Sequence, residues 1–433
     1  MNFRWEDFSS HSHSSIRLTP PGVKVRPSTT FLLLMISSFL ISSCNRPPDT
    51  ISRPEKIVSM RQVCYDQATY QELATAWREY YQVFPYEESY ANWMYAARYA
   101  GKENYQELLE KGVLKYPANP TLLYLYSMSF HGKELQDAKQ YLERAIGLAP
   151  EYSDPWFSLV INYLEDGQPE QVNLALAKLL ELNAIQDVVM DYNYNVLALL
   201  PPDAILVTNG DNDTYPGWVL QRVLGIRPDV AIVNRSLLNT TWYFKQLIQD
   251  GLIRFMDLTE LETIREQTPP PWSDTLIVRL VEAAAVKGYP VYFAHTLYGS
   301  PQLEPLLKAG GDIGLCTRVT PPKKNREQEL QEMTEVWLTG FRSGSLQSWG
   351  LQYARRSQSP RWLATNYAYG LVNLLEELQR YNPEQLPGLF TWYRLWALPL
   401  LELEQAEQLN NLWCQLLEDE AGCDWCREQG LLP

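Results

Sequence analysis

The chain has 433 residues, 45% of them hydrophobic and 20% charged, with a formal net charge of −14. That length suggests two or three domains with a sizeable core. The first 43 residues carry net +2, which leaves −16 for the remainder, a balance that argues against a general nucleic-acid binder.

The amino terminus reads as an export signal over 1–43. Arg17, Lys24 and Arg26 precede an apolar run, Phe31 to Ile41, that is too short to span a bilayer but suits a signal core. Ile41-Ser-Ser-Cys44 resembles the bacterial lipoprotein signal, in which the cysteine is lipidated and becomes the mature amino terminus. Cys44 would then anchor the chain to a bacterial membrane, the outer membrane by preference, with the fold facing the periplasm. A cleaved secretory signal with an incidental cysteine is the alternative. Residues 44–64 are polar and proline-rich and read as a tether.

From 65 to 199 the periodicity is helical and repeats about every 33 residues, with Pro85, Pro117 and Pro150 closing successive units. Ala138, Leu142 and Ala145 stand where the second helix of a tetratricopeptide repeat sets small residues for close packing. These units resemble degenerate tetratricopeptide repeats, which stack into a solenoid with a concave groove. Tyrosines and tryptophans crowd this stretch. Most are expected between helices, while a few could line a groove for a protein or glycan partner.

After Pro201-Pro202 the period changes. Residues 200–322 alternate short apolar runs (Ala204 to Thr208, Val230 to Val233, Val291 to Ala294, and Ile313 to Val319 as a fourth) with helical segments. This predicts a Rossmann-like parallel sheet, making the chain α/β plus α, with a C-terminal helical region over 323–433. Open sheets of this kind bind ligands beyond the carboxyl ends of their strands. Asn209, Asp211, Asn212, Asp213, Asn234, Arg235, Asn239 and His295 stand in three such loops and are the candidate ligand residues. The helix after Asp213 is expected to begin beyond Pro216.

Asp211 and Asp213, two residues apart, could share a divalent cation with amide oxygens of Asn209 and Asn212. An Asp-x-Asp at a strand end also occurs in glycosyltransferases, and in aspartate-nucleophile phosphotransferases, where Thr296 would supply the later hydroxyl. In this chain Asn209-Gly210 intervenes before the first acid. The bland reading is an elaborate turn whose carboxylate caps the next helix. His295 is a candidate general base or a hydrogen-bonded wall residue, and Arg235 and Arg318 are candidate salt-bridge partners. Cys423 and Cys426 suit a local disulfide better than half a zinc site.

The run Leu200-Pro-Pro-Asp-Ala-Ile-Leu-Val-Thr-Asn-Gly-Asp-Asn-Asp-Thr-Tyr-Pro216, followed by Gly225-Ile-Arg-Pro-Asp-Val-Ala-Ile-Val-Asn-Arg-Ser-Leu-Leu-Asn-Thr240, resembles the soluble carboxyl-terminal region of a bacterial envelope family. Those are multi-spanning proteins with a membrane part like protein O-mannosyltransferases. Pro290-Val-Tyr-Phe-Ala294 and Gly314 to Pro321 continue the likeness. The resemblance implies an envelope or glycan context and no particular activity. It leaves two expectations. One is a lipid-anchored binding or scaffold protein, accessory to glycan or protein glycosylation. The other is a metal-dependent transferase or hydrolase built on Asp211 and Asp213.

Overall fold

Helices dominate because the chain repeatedly places a capping residue or a proline ahead of an amphipathic run. The structure, a computed structural model, describes residues 51–417 apart from 64, 102–103, 131–134, 268–269, 298, 349–350 and 352–357. The signal over 1–43, Cys44, Cys423 and Cys426 lie outside the described residues. Cys414 is disulfide-bonded, and Cys316 is a buried thiol. No helix among the described residues is long and apolar enough to cross a membrane.

The first array comprises α1 (Gln67–Val83), α2 (Glu87–Tyr99), α3 (Tyr105–Lys115), α4 (Pro120–Ser127), α5 (Leu135–Leu148), α6 (Asp154–Glu165), α7 (Pro169–Glu181) and α8 (Asp187–Leu199). Asp66 caps α1 by accepting from Thr69 N at 2.7 Å. Asn119 caps α4 by accepting from Leu122 N at 3.1 Å, with Pro120 in the first turn, where its missing N–H costs nothing. From α1 to α7 each helix packs on the next. Trp77, Tyr90, Trp93, Tyr95 and Tyr124 are buried between helices, whereas Tyr86 is 65% exposed.

A five-stranded sheet comes next: β1 (Ile205–Thr208), β2 (Ala231–Asn234), β3 (Val291–Ala294), β4 (Gly311–Asp312) and β5 (Cys316–Arg318), in the order β2-β1-β3-β5-β4. β1 runs parallel to both β2 and β3, pairing Thr208 with Asn234 and Val207 with Phe293. All four residues of β1 are buried, so both faces of the central strand are covered. The sheet is mixed rather than wholly parallel. In place of one strand over Ile313 to Val319, β4 and β5 form an antiparallel hairpin, and β5 lies antiparallel to β3. The turn between them needs Gly314, whose φ of +96° a side chain would strain and whose Cβ would strike Trp337.

The connecting helices are α9 (Asp211–Arg222), α10 (Thr241–Gln249), α11 (Leu258–Gln267), α12 (Ser273–Lys287) and α13 (Glu304–Ala309). α9 starts earlier than the sequence suggests, with Pro216 inside it. A proline there leaves the carbonyl four residues back without its N–H. That carbonyl, of Asn212, accepts instead from the Asn193 side-chain amide on α8 at 2.8 Å. The carboxyl end of α8 is closed by Arg227, whose guanidinium donates to the carbonyls of Leu197 at 2.6 Å, Leu200 at 2.8 Å and Pro201 at 3.0 Å.

The chain ends in α14 (Arg326–Thr339), α15 (Gln358–Val372), α16 (Leu375–Tyr381), α17 (Leu386–Trp392) and α18 (Leu403–Leu417). They do not stand apart, because α14 and α15 pack on α8. Asn195 of α8 donates to the Arg342 carbonyl at 2.9 Å and accepts from the Arg342 N–H at 2.7 Å. Trp337, Phe341, Tyr367 and Trp392 meet edge to face or tilted behind it. Gly370 of α15 sits so close to the β4–β5 turn that a Cβ would overlap the Gly314 carbonyl. Gly370→Ala is expected to destabilise the fold by about 1–3 kcal/mol through overpacking. A lower urea midpoint at unchanged slope checks this.

Candidate functional site

β1, β2 and β3 are parallel, so their carboxyl ends share one edge, and the chain leaves β1 toward β2 but must return past β1 to reach β3. The crevice of such a sheet falls between the ends of β1 and β3. Here that position is bridged. Asp213, in the first turn of α9, is buried, and its carboxylate accepts from Asn209 N at 2.7 Å, from Gly210 N at 2.8 Å and from the Thr296 hydroxyl beyond β3. Burial pushes the Asp213 carboxyl above its ordinary range, and the donations from Thr296, Asn209 and Gly210 pull against that shift.

A second layer of hydroxyls and amides continues across the edge. Thr208 and Thr214 share a hydrogen bond of 2.7 Å, and the Asn234 side-chain amide donates to Thr214 Oγ1 at 2.8 Å. Asn234 Oδ1 accepts from Leu237 N at 2.8 Å, starting the short 3-10 turn Leu237–Asn239. Asn239 Oδ1 in turn accepts from Trp272 N at 2.7 Å and Ser273 N at 3.0 Å, capping α12. Arg235 makes a two-pronged pair with Asp274, Nε to Oδ1 at 2.6 Å and Nη2 to Oδ2 at 2.7 Å, and reaches Asn209 Oδ1 at 3.3 Å. Ser300 donates to Asp274 Oδ2 at 2.5 Å. Burial works against ionisation of Asp274, yet Arg235 and Ser300 hold its pKa below the ordinary carboxylate value.

Part of this edge falls within a known family model. Residues 189–251 match TMEM260-associated domain 2. The matched stretch runs from within α8 through β1, α9 and β2 to the end of α10, so it contains Asn193, Asp213, Arg227 and Asn234 together. No curated protein matches the chain.

Two candidates lie apart from the bridge. Asp211 pairs with Arg61 from the segment ahead of α1. His295 places Nε2 3.3 Å from Asp312 Oδ2 without hydrogen-bond geometry. The structure does not bring the Asp211 and Asp213 carboxylates together as the expected pair of cation ligands. Because α9 begins at Asp211, the two acids are neighbours two apart on a helix, about 200° around its axis, and cannot converge. Each has taken other partners, and Asn212 presents its backbone carbonyl to Asn193. Among the described residues no group of three or more His, Cys, Asp or Glu could hold a metal ion. Arg318 pairs with Glu329 at 2.6 Å and 3.1 Å. A cavity of about 540 Å³ is lined by Lys139, Glu143, Tyr163, Gln168, Glu170 and Gln171 of the helical array and by none of the strand-end residues.

Sequence reasoning missed Asn193, Arg61 and the pairing role of Asp274. Only Asp274 had a local signal, as part of the Ser273-Asp274 helix start. Asp274→Ala would strand the largely buried Arg235 charge and is expected to cost about 3 kcal/mol at neutral pH. Because the folded-state pKa of Asp274 is depressed, the pair stabilises above the ordinary carboxylate pKa and fades as pH falls through the folded value. Urea unfolding at neutral pH and below about pH 4 should show the gap between wild type and variant closing in acid.

Proposed function

We propose that this protein is a binding or scaffold protein of the bacterial cell envelope, held to a membrane through lipid on Cys44 and facing the periplasm. Its helical array, read as tetratricopeptide-like repeats, would hold a protein or glycan partner. The match to TMEM260-associated domain 2 supports an accessory place in glycan or protein glycosylation, since TMEM260 relates to O-mannosyltransferase-like membrane proteins.

The observation that carries this reading over an enzymatic one is the bridged crevice. Asp213 with Thr296, Asn234 with Thr214, and Arg235 with Asp274 spend polar atoms on protein partners at the position where an open α/β sheet takes its ligand. A catalytic set needs groups aimed at a substrate, and this set is aimed at itself. The strand edge then acts as a rigid support, and recognition falls to the helices.

Calorimetric titration of the full chain with Mg²⁺, Mn²⁺ and Ca²⁺ should show no saturable heat. A saturable heat that Asp211→Ala abolishes would overturn the reading in favour of a metal-dependent transferase or hydrolase. In a bacterial host, the wild type should fractionate with membranes and Cys44→Ser should not; equal fractionation would overturn the anchor.

A further inference from the structure

The expected tether does not hang loose once it enters the described residues. The segment from Arg53 to Val63 contains no helix or strand, yet residues of four helices hold it. Arg53 pairs with Glu88 of α2 at 2.6 Å. The Ile57 N–H donates to Asn92 Oδ1 at 3.0 Å, and the Met60 N–H donates to the Tyr95 hydroxyl at 2.9 Å, both on α2. The Glu55 carbonyl accepts from the Trp77 indole at 3.0 Å, and the Gln62 carbonyl accepts from the Gln186 amide just ahead of α8 at 2.6 Å. Apart from the Arg53 pair, these contacts read backbone, not sequence: four main-chain groups of an irregular segment are each met by a side chain of the helical array.

Two further contacts do read sequence. A turn at Ser59, where Gln62 N and Val63 N donate to its carbonyl at 2.9 Å, presents the Ser59 and Arg61 side chains together. Ser59 donates to Asp154, which is fully buried and also takes the Tyr95 hydroxyl at 2.9 Å and the Tyr152 hydroxyl at 3.2 Å. Arg61 lies with its guanidinium 4.3 Å from the Phe157 ring centre and 5.8 Å from that of Tyr215, and pairs with Asp211. Asp154 opens α6 and Asp211 opens α9, so two helix amino termini each offer a carboxylate to the segment. The fit is incomplete. Arg61 Nε is buried with no acceptor among the described residues, and the Asp211 side chain remains 59% exposed. With its carboxylate largely in solvent, the ion pair is weakened by salt.

The geometry points to this seat as the partner-binding site: it takes a segment of a partner protein that turns at a hydroxyl residue followed, two residues on, by an arginine, and residues 53–63 occupy it in cis. Acidic groups at Asp154 and Asp211 match a basic peptide, and the side-chain donors and acceptors of Trp77, Asn92, Tyr95 and Gln186 take main-chain groups, which any peptide offers. The inference rests on the scaffold reading and names the partner class for it. Because the cis segment is covalently attached, it competes at high effective concentration, and a partner peptide gains access when the segment is loosened.

The test uses the full chain and a fluorescein-labelled synthetic peptide of residues 53–63. Fluorescence anisotropy of the doubly substituted Ser59→Ala/Arg61→Ala chain should show saturable binding at least tenfold tighter than wild type. Adding Asp211→Ala should remove most of that gain, and a peptide with arginine replaced by alanine should bind at least tenfold more weakly. Equal, negligible binding by wild type and the loosened chain, with circular dichroism unchanged, would overturn the inference. If the double variant fails to fold, hydrogen exchange on the wild type decides. The Ile57 and Met60 amides should exchange at least a hundredfold faster than buried α2 amides, through local release; exchange only with global unfolding would overturn it. A wild-type dimer by light scattering that dissociates on Arg61→Ala would assign the seat to a second copy and overturn it likewise. A failed peptide test alongside absent metal binding and a membrane-held Cys44 would leave the scaffold reading standing.

Discussion

One buried carboxylate organises the sheet edge. Asp213 must lose its water when α9 packs on the sheet, and an isolated charge there would be prohibitively costly. The structure meets it with two backbone amides of the β1 loop and the hydroxyl of Thr296 beyond β3. The same three bonds therefore start the helix, shape the loop and tie β1 to β3. Removing the carboxylate would leave the part-buried N–H groups of Asn209 and Gly210 without this partner. The bridge is thus a structural support that joins the ends of β1 and β3.

Helix α8 carries the next constraint. It belongs by periodicity to the helices before it, yet its polar side chains serve the sheet domain and the C-terminal helices. Asn193 answers the carbonyl that Pro216 leaves unbonded in α9, Asn195 clamps the backbone at Arg342, and Arg227 returns from beyond α9 to close the end of α8. Two of these locks, Asn193 with Asn212 and Arg227 with Leu197, have both halves inside residues 189–251. A stretch with its own internal locks is a natural unit to recur as a domain, and it begins in α8 rather than at the first strand.

Much of the fold was legible in local signals. Pro85, Pro117 and Pro150 marked the breaks after α1, α3 and α5, and short apolar runs marked β1, β2 and β3. The β4–β5 hairpin was not legible, because its strands are two and three residues long and its turn depends on contacts with Trp337 and Gly370 far along the chain. The start of α9 was misread because Pro216 looks like a boundary, and only Asn193 shows how the helix accommodates it. Sequence could bring Asn209, Asp213, Asn234 and Arg235 to one edge through strand topology. It could not show which partners would answer them, since Arg235 meets Asp274 across 39 residues and Arg61 meets Asp211 across 150.

The two acids of the Asn209–Asp213 loop thus have opposite fates for one geometric reason. A helix that begins at Asp211 turns Asp213 inward, onto the sheet, and leaves Asp211 on the outer side of the same turn, at the positive end of the helix dipole. The inner acid is consumed by the fold. The outer acid is stabilised where it stands, faces solvent over most of its surface and meets a cation brought by another part of the chain. Asp154 shows a related arrangement at the start of α6, buried this time and satisfied by hydroxyls. The segment laid past both helix starts meets a hydroxyl acceptor at Asp154 and then an arginine acceptor at Asp211. Of the two acids in the loop, only Asp211 takes part in that succession, while Asp213 serves the sheet edge.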